Sequence, residues 1–269
     1  MSSAIHIIHI RRLALVARKC TKKMRMTGFA SLIAQRFVEA VESSSVRLEP
    51  FPHLVVDGVL PTDVFRRVSD ELPSFSDLAS VPETGTANVA AYDRRATLAV
   101  EELSSPGGPS VWDDVESGLK SNEVERALVQ SFSPWIDGKV GQALGGPLRR
   151  QVRIHRDHAG FNLNPHTDAP GIFITSFVHV SSGVPDPSLD TVLYEPVDPE
   201  ARLRGLEGKE YAHEDPGDHR PVGRIVFRPN RMFSFLRTVS SLHVVGPVSD
   251  RAAPRHLISL RLKHAAQFA

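Results

Sequence analysis

Two imidazoles and a carboxylate mark this chain: His166 and Asp168, separated only by Thr167, and His243, seventy-five residues beyond the aspartate. These donors can fill one face of an octahedral metal ion and leave the opposite face open, which suits non-haem iron(II) and oxygen chemistry. On an extended strand, residues i and i+2 point to the same side, so His166 and Asp168 reach one ion without distorting the backbone. Pro165 before them and Ala169-Pro170-Gly171 after them mark the mouth of a strand. Alternation turns His243 inward if Leu242 and Val244 face the other layer. Twelve residues past His243, Arg255 offers a permanently charged fork for a co-substrate carboxylate, with Arg261 as its rival.

Taken singly, each of these residues has a plainer reading. His166 alone is a hydrogen-bonded histidine at a barrel mouth, His243 a satisfied core histidine, Asp168 a turn cap and Arg255 a surface strand arginine. The three in order, inside a β-rich half and followed by an arginine on a strand, favour the metal site. Competing chemistries lack their residues: there is no HExxH, no CxxC pair and no GxSxG. The Gly-Gly-Pro runs at 107–109 and 145–147 lack a phosphate-loop lysine. His213, Glu214, Asp215, Asp218 and His219 sit among prolines and glycines that read as a solvated turn.

The elements that position these residues follow from periodicity. Phe29, Leu32, Ile33, Phe37 and Val41 recur at helical spacing over 27–41, and a second helix opens at Pro61-Thr62-Asp63 and runs to about Leu72. Between them, 53–57 reads as a short strand. Residues 73–110 read as a long loop, and 111–145 return to helical spacing, broken near Pro134. After Gly146 short β-like runs predominate, at 151–157, 172–180, 191–194, 225–228, 231–236, 242–245 and 255–262. Helices followed by strands predict a mainly β fold, with helices buttressing a β-barrel or sandwich. The expected organisation is one domain over 27–269, helical to 147 and β from 148 to 264. The polar stretch 196–223 reads equally as a lid or as a solvated surface loop.

Charge and cysteine narrow the setting. Residues 1–26 carry seven Lys or Arg and no acid, leaving 25 basic against 31 acidic residues in the rest, so the body gives no reason to expect nucleic-acid binding. The basic leader reads as an organellar presequence, a secretory signal or a tail from an over-early start; the last is favoured, with Met24 or Met26 beginning the working protein. One cysteine, Cys20, excludes an internal disulfide framework and suits the cytoplasm. No apolar run approaches the roughly 20 residues of a membrane span. Oligomeric state is not legible.

The residues 157–170, Asp-His-Ala-Gly-Phe-Asn-Leu-Asn-Pro-His-Thr-Asp-Ala-Pro, resemble the strand leading into the metal motif of 2-oxoglutarate and iron(II)-dependent dioxygenases, in their prolyl-hydroxylase-like branch. Residues 174–180, 191–196 and 230–235 resemble that family's later strands. The likeness covers 148–264 strongly and 48–75 weakly, and it implies a double-stranded β-helix (jelly-roll, cupin-like) core at 148–264. It implies Fe(II) held by His166, Asp168 and His243, with 2-oxoglutarate and O2 as co-substrates. It also implies Arg255, four residues before Ser259, on the 2-oxoglutarate C5 carboxylate. Many relatives have a tyrosine where this chain has His179, four residues after Thr175, so His179 reads either as a second donor to that carboxylate or as a structural histidine. Thr175, Asn162 and Arg153 are further candidates for the cavity, and Arg94, Arg95 and Arg237 for a substrate carboxylate. A carboxylate at 168, where related halogenases have glycine or alanine, implies hydroxylation. The favoured expectation is a hydroxylase of a small molecule, an amino acid or biosynthetic intermediate. A protein-residue (prolyl or aspartyl) hydroxylase and a non-catalytic metal-binding jelly-roll sensor are the alternatives.

Overall fold

The structure is a computed structural model describing residues 28–73, 94–103, 110–136, 148–169, 171–180, 186–200, 202 and 216–264. The basic leader, most of the 73–110 loop and half of the 196–223 stretch lie outside the described residues, as do 137–147.

The helices form one layer. Helix α1 (Gly28–Glu42) buries Ala30, Ile33, Ala34, Phe37, Ala40 and Val41, a stripe at the three- and four-residue spacing of an amphipathic helix. After β1 (His53–Asp57), α2 (Thr62–Asp70) buries Val64 and Val68. The expected helical stretch from 111 is two helices, α3 (Val111–Leu119) and α4 (Asn122–Phe132). One break falls at Ser121, whose hydroxyl accepts from the Val124 N–H and starts a new helix, and the expected one near Pro134 follows, where α4 gives way to a 3-10 turn over Ser133–Trp135. A capping box between Ser110 and Asp113 opens α3. Gly118 lets α3 meet α1 closely: a Cβ there would sit 2.8 Å from the Ala30 carbonyl oxygen and Ile33 Cβ.

The strands form two antiparallel sheets. They are β2 (Arg95–Ala99), β3 (Leu148–Asp157), β4 (Leu163–His166), β5 (Ile172–His179), β6 (Thr191–Pro196), β7 (His219–Ile225), β8 (Arg231–Leu236), β9 (His243–Val245) and β10 (Arg255–His264). The larger sheet runs β1-β8-β5-β10-β3-β2 and the smaller β4-β9-β6-β7. From β3 to β10 the chain passes back and forth between the sheets, giving the expected jelly roll. Alternation divides the larger sheet's side chains. Val152, Ile154, Ile174, Val178, Ile258, Leu260 and Leu262 pack against the helices. Phe177, Phe233, Phe235 and Leu257 face inward, onto Phe161, Leu163, Leu193, Ile225 and Val245.

Two strand expectations are corrected. The strand anticipated at 225–228 lies earlier, at β7, whose outward Arg220 and Val222 hide its alternation. Past Ile225 the chain leaves the sheet, and the Phe227 N–H donates to Asp190 Oδ1 at 2.7 Å instead. The second is β2, inside the supposed loop, which adds an edge to the sheet by pairing with β3. No helix among the described residues is long and apolar enough to cross a membrane.

Candidate metal centre

A register irregularity brings the two histidines together. Leu163 pairs with Val245, and three residues later His166 pairs with His243, only two residues back along β9. One extra residue on β4 therefore lets Leu163 and His166 both face inward, which strict alternation forbids. Pro165 fits there because it has no N–H to lose from the ladder. Asp168 lies just past the strand end. Its backbone carbonyl accepts from Arg237 Nε at 2.7 Å, and Arg237 N–H donates to the Phe173 carbonyl. Gly171 turns the chain into β5 with a φ of 82°.

Ligand atoms of His166, Asp168 and His243 lie within 4.8 Å of one another, and all three side chains are buried. The imidazole centroids are 4.4 Å apart. Each ring is oriented through Nδ1, which donates to a backbone carbonyl: Asn164 at 2.8 Å for His166 and Ser241 at 3.0 Å for His243. A carbonyl only accepts, so Nδ1 carries the proton and Nε2 presents its lone pair to an ion. The Thr175 hydroxyl donates to Asp168 Oδ2. Burial alone would push the Asp168 carboxyl up, but Arg261, His243 and the Thr175 hydroxyl outweigh it and hold it below the usual range. For His243, burial dominates and lowers the pKa, against the opposing charge of Asp168. Phe235 closes one side, its ring centroid 4.7 Å from that of His243.

Deeper in the roll lies a second polar group. Arg255 is 1% exposed. Its Nη1 donates to Asp157 Oδ2 at 3.1 Å and its Nη2 to Thr191 Oγ1 at 2.9 Å, while Nε is buried without a hydrogen-bond partner among the described residues. Burial pushes the Arg255 pKa down to about 10, against the favourable charge of Asp157. His179 stacks on Phe227 with centroids 4.3 Å apart, and the Arg255 guanidinium lies 5.6 Å from the centroid of the same ring. His179 Nδ1 accepts the Arg228 N–H at 3.2 Å, which places the proton on Nε2, and that atom too is buried without a partner among the described residues. Burial, then the charges of Arg255 and Arg231, hold this imidazole well below its usual pKa, so it is neutral. Two unsatisfied N–H donors thus flank one phenyl ring, a fit for a carboxylate.

The other sequence candidates are placed as follows. Thr175 serves Asp168 through its hydroxyl. Asn162 is exposed just before β4, where Leu163 takes the inward position. Arg153 is half-buried and shares the inner face of β3 with His155 and Asp157. Arg95, considered for a substrate carboxylate, is instead committed to Asp157, at 2.5 and 2.9 Å, and lies over the Phe161 ring. Arg237 holds the backbone at Asp168.

Sequence reasoning missed Asp157, Thr191 and the chain Thr97–His155–Ser259, in which the His155 ring bridges two hydroxyls at 2.9 and 2.7 Å. The available signal for Asp157 was a lone acid closing the basic strand Arg153-Ile154-His155-Arg156.

No protein-family model matches the chain, and no curated protein matches it in sequence. Among solved structures, the chain is similar to the non-heme alpha ketoglutarate dependent epimerase SnoN from nogalamycin biosynthesis. Identity there is 16% over 86% of this chain and 83% of that one, with a TM-score of 0.46. It is also similar to a prolyl 4-hydroxylase of Phytophthora capsici, at 15% identity over 91% and 68% with a TM-score of 0.49. A prolyl-4-hydroxylase of Pseudomonas putida gives 12% identity over 86% and 99%, with a TM-score of 0.47.

Proposed function

We propose that this chain is an iron(II)- and 2-oxoglutarate-dependent oxygenase that hydroxylates a small molecule, an amino acid or a biosynthetic intermediate. One observation carries the reading: a buried two-histidine, one-carboxylate set and, deeper in the same jelly roll, a buried pair of unsatisfied donors suited to a carboxylate. His166, Asp168 and His243 would hold Fe(II), and Arg255 with His179 would hold the distal carboxylate of 2-oxoglutarate. When bound, the iron and 2-oxoglutarate supply dioxygen-dependent oxidation of a substrate C–H, coupled to release of succinate and CO2.

The chain's own residues do the rest. The Nδ1–H bonds of His166 and His243 fix which nitrogen faces the ion, and Thr175 fixes the Asp168 carboxylate, leaving Oδ1 for coordination. Phe177, Phe233 and Phe235 keep the interior dry, which strengthens the charge interactions inside it. The Asp157 and Thr191 contacts hold the Arg255 fork in one orientation before any ligand arrives.

The test is anaerobic addition of Fe(II) and 2-oxoglutarate, watching for the weak visible charge-transfer band of the chelate, with Arg255→Ala as control. A band in the natural protein that weakens in the variant is expected. Bound iron without a band would overturn the oxygenase reading and leave a non-catalytic metal-binding jelly roll.

A further inference from the structure

Strand β2 lies outside the roll of β3 to β10, yet two of its inward side chains reach β10 by way of β3. Arg95 grips Asp157, which in turn holds Arg255 of the carboxylate pocket. Two residues further on, the Thr97 hydroxyl lies 2.9 Å from His155 Nδ1, and His155 Nε2 lies 2.7 Å from the Ser259 hydroxyl. Ser259 stands between the two ends of the site. On the inner face it pairs with Phe177, which sits on β5 between His179 and Thr175. His179 carries the unsatisfied Nε2–H of the carboxylate pocket, and Thr175 holds Asp168. A ligand reaching from that pocket to the metal residues therefore passes Ser259.

The imidazole between the two hydroxyls is neutral. Burial first, and then the charges of Arg95, Arg261, Arg153 and Arg255, hold the His155 pKa well below 6.5. One ring proton must then serve two neighbours. On Nδ1 it donates to Thr97, Nε2 accepts from Ser259, and the spare O–H is that of Thr97. On Nε2 it donates to Ser259, Nδ1 accepts from Thr97, and the spare O–H is that of Ser259. Among the described residues neither hydroxyl has a second hydrogen-bond partner. Thr97 is partly exposed on an edge strand, where water accepts a spare O–H, whereas Ser259 is 0% exposed. An unmet buried donor is costly, so without a ligand the ring proton belongs on Nδ1. A carboxylate beside Ser259 reverses the preference, because only the Nε2 form gives it a hydroxyl donor.

We infer that Thr97 and His155 are positioning residues for the 2-oxoglutarate carboxylate, acting through Ser259. As the co-substrate binds, the His155 proton passes from Nδ1 to Nε2, and the Ser259 hydroxyl turns from the ring to the ligand. Both forms contain the same protons, so the exchange takes up none and releases none. Strand β2, an addition to the edge of the sheet, is then part of the co-substrate site. The inference rests on the oxygenase reading for the identity of the ligand, and on the Thr97–His155–Ser259 chain for the rest.

The test is nitrogen-15 NMR of the His155 ring in protein loaded with diamagnetic Zn(II), with and without 2-oxoglutarate, beside calorimetry of the same titration. The protonated nitrogen is expected to change from Nδ1 to Nε2 when 2-oxoglutarate is added. Thr97→Val keeps the β-branched shape but removes the donor to Nδ1. It should weaken 2-oxoglutarate binding about threefold to tenfold while Zn(II) affinity stays the same. Thr97→Ser, which restores the hydroxyl, should recover the loss. Ser259→Ala should weaken binding as well, and adding Thr97→Val to it should weaken it no further, because the chain has lost its end. The same tautomer with and without the ligand, an undiminished affinity in Thr97→Val, or additive losses in the double variant would each overturn the inference. The calorimetry separates the two failures. Binding of 2-oxoglutarate that ignores Thr97 sinks only the relay, whereas no binding to the metal-loaded protein sinks the oxygenase reading itself.

Discussion

Asp157 holds Arg255 from β3 across to β10, with Nη1 donating to Oδ2 at 3.1 Å and neither side chain more than 1% exposed. Arg95 on β2 grips the same carboxylate, so one buried anion serves two buried cations. Asp157→Asn would leave both guanidinium groups without their counter-charge, a loss of about 3–5 kcal/mol if the fold does not relax. Urea unfolding of the metal-free protein measures it. A variant as stable as the natural protein would mean that the neutral amide satisfies both arginines.

His179 provides a sharper test of the carboxylate pocket. His179→Phe keeps a flat ring to stack on Phe227 but removes the Nε2–H donor. The 2-oxoglutarate KM should rise about tenfold for loss of one donor to an ionised partner, with little change in kcat, because the donor acts on binding. His179→Tyr should recover part of the loss if its hydroxyl reaches the same carboxylate. Unchanged 2-oxoglutarate affinity in His179→Phe would reduce His179 to a packing residue.

The mainly β core and the candidate ligand triad were legible because they depend on local pattern, and the jelly-roll arrangement came with the family resemblance. Period-two runs announced β5, β8 and β10, and the spacing of His166 and Asp168 carried its own geometric meaning. The β4 irregularity that turns His166 toward His243 was not legible, since register is settled between strands. Arg95 and Asp157 were opaque for the same reason: they are 62 residues apart in sequence, and only the pairing of β2 with β3 makes them neighbours. Arg220 and Val222 gave β7 the look of a loop because an edge strand's outer face is solvated. The Arg255 Nε shows the limit most clearly, because a buried donor left unsatisfied is a property of its surroundings and leaves no trace in residue type.

Thr175→Val should weaken the metal site while leaving its three ligands in place. The substitution keeps the β-branched shape on β5 but removes the hydroxyl bonded to Asp168 Oδ2. Loss of such an outer hydrogen bond costs about 10–100-fold in metal affinity. Competition between the protein and a chromophoric chelator for Fe(II) or Ni(II) reads the change directly. Equal affinities would show that Asp168 is oriented by its backbone, through Arg237, without help from the hydroxyl.

Acid sensitivity should come in two stages. His155 and His179 are held well below the ordinary histidine value of 6.5, by burial first and then by the arginines around them. Above that value both are neutral in the folded and unfolded chain, and they contribute nothing to pH dependence. As pH falls below about 6.5, the unfolded chain takes up protons that the folded chain refuses, so stability declines with a slope of up to about 1.4 kcal/mol per pH unit for each histidine. Asp157 acts lower: its folded carboxyl is held below 3.8, so its contribution persists above that value and disappears as pH falls through the folded one. Unfolding free energies of the metal-free protein between pH 7 and 5 should therefore fall steadily. His155→Gln, which keeps a polar side chain between Thr97 and Ser259 but cannot titrate, should flatten that slope by close to one histidine's share. An unaltered slope would mean that His155 accepts its proton inside the folded protein, and that the four arginines facing it are better screened than their burial suggests.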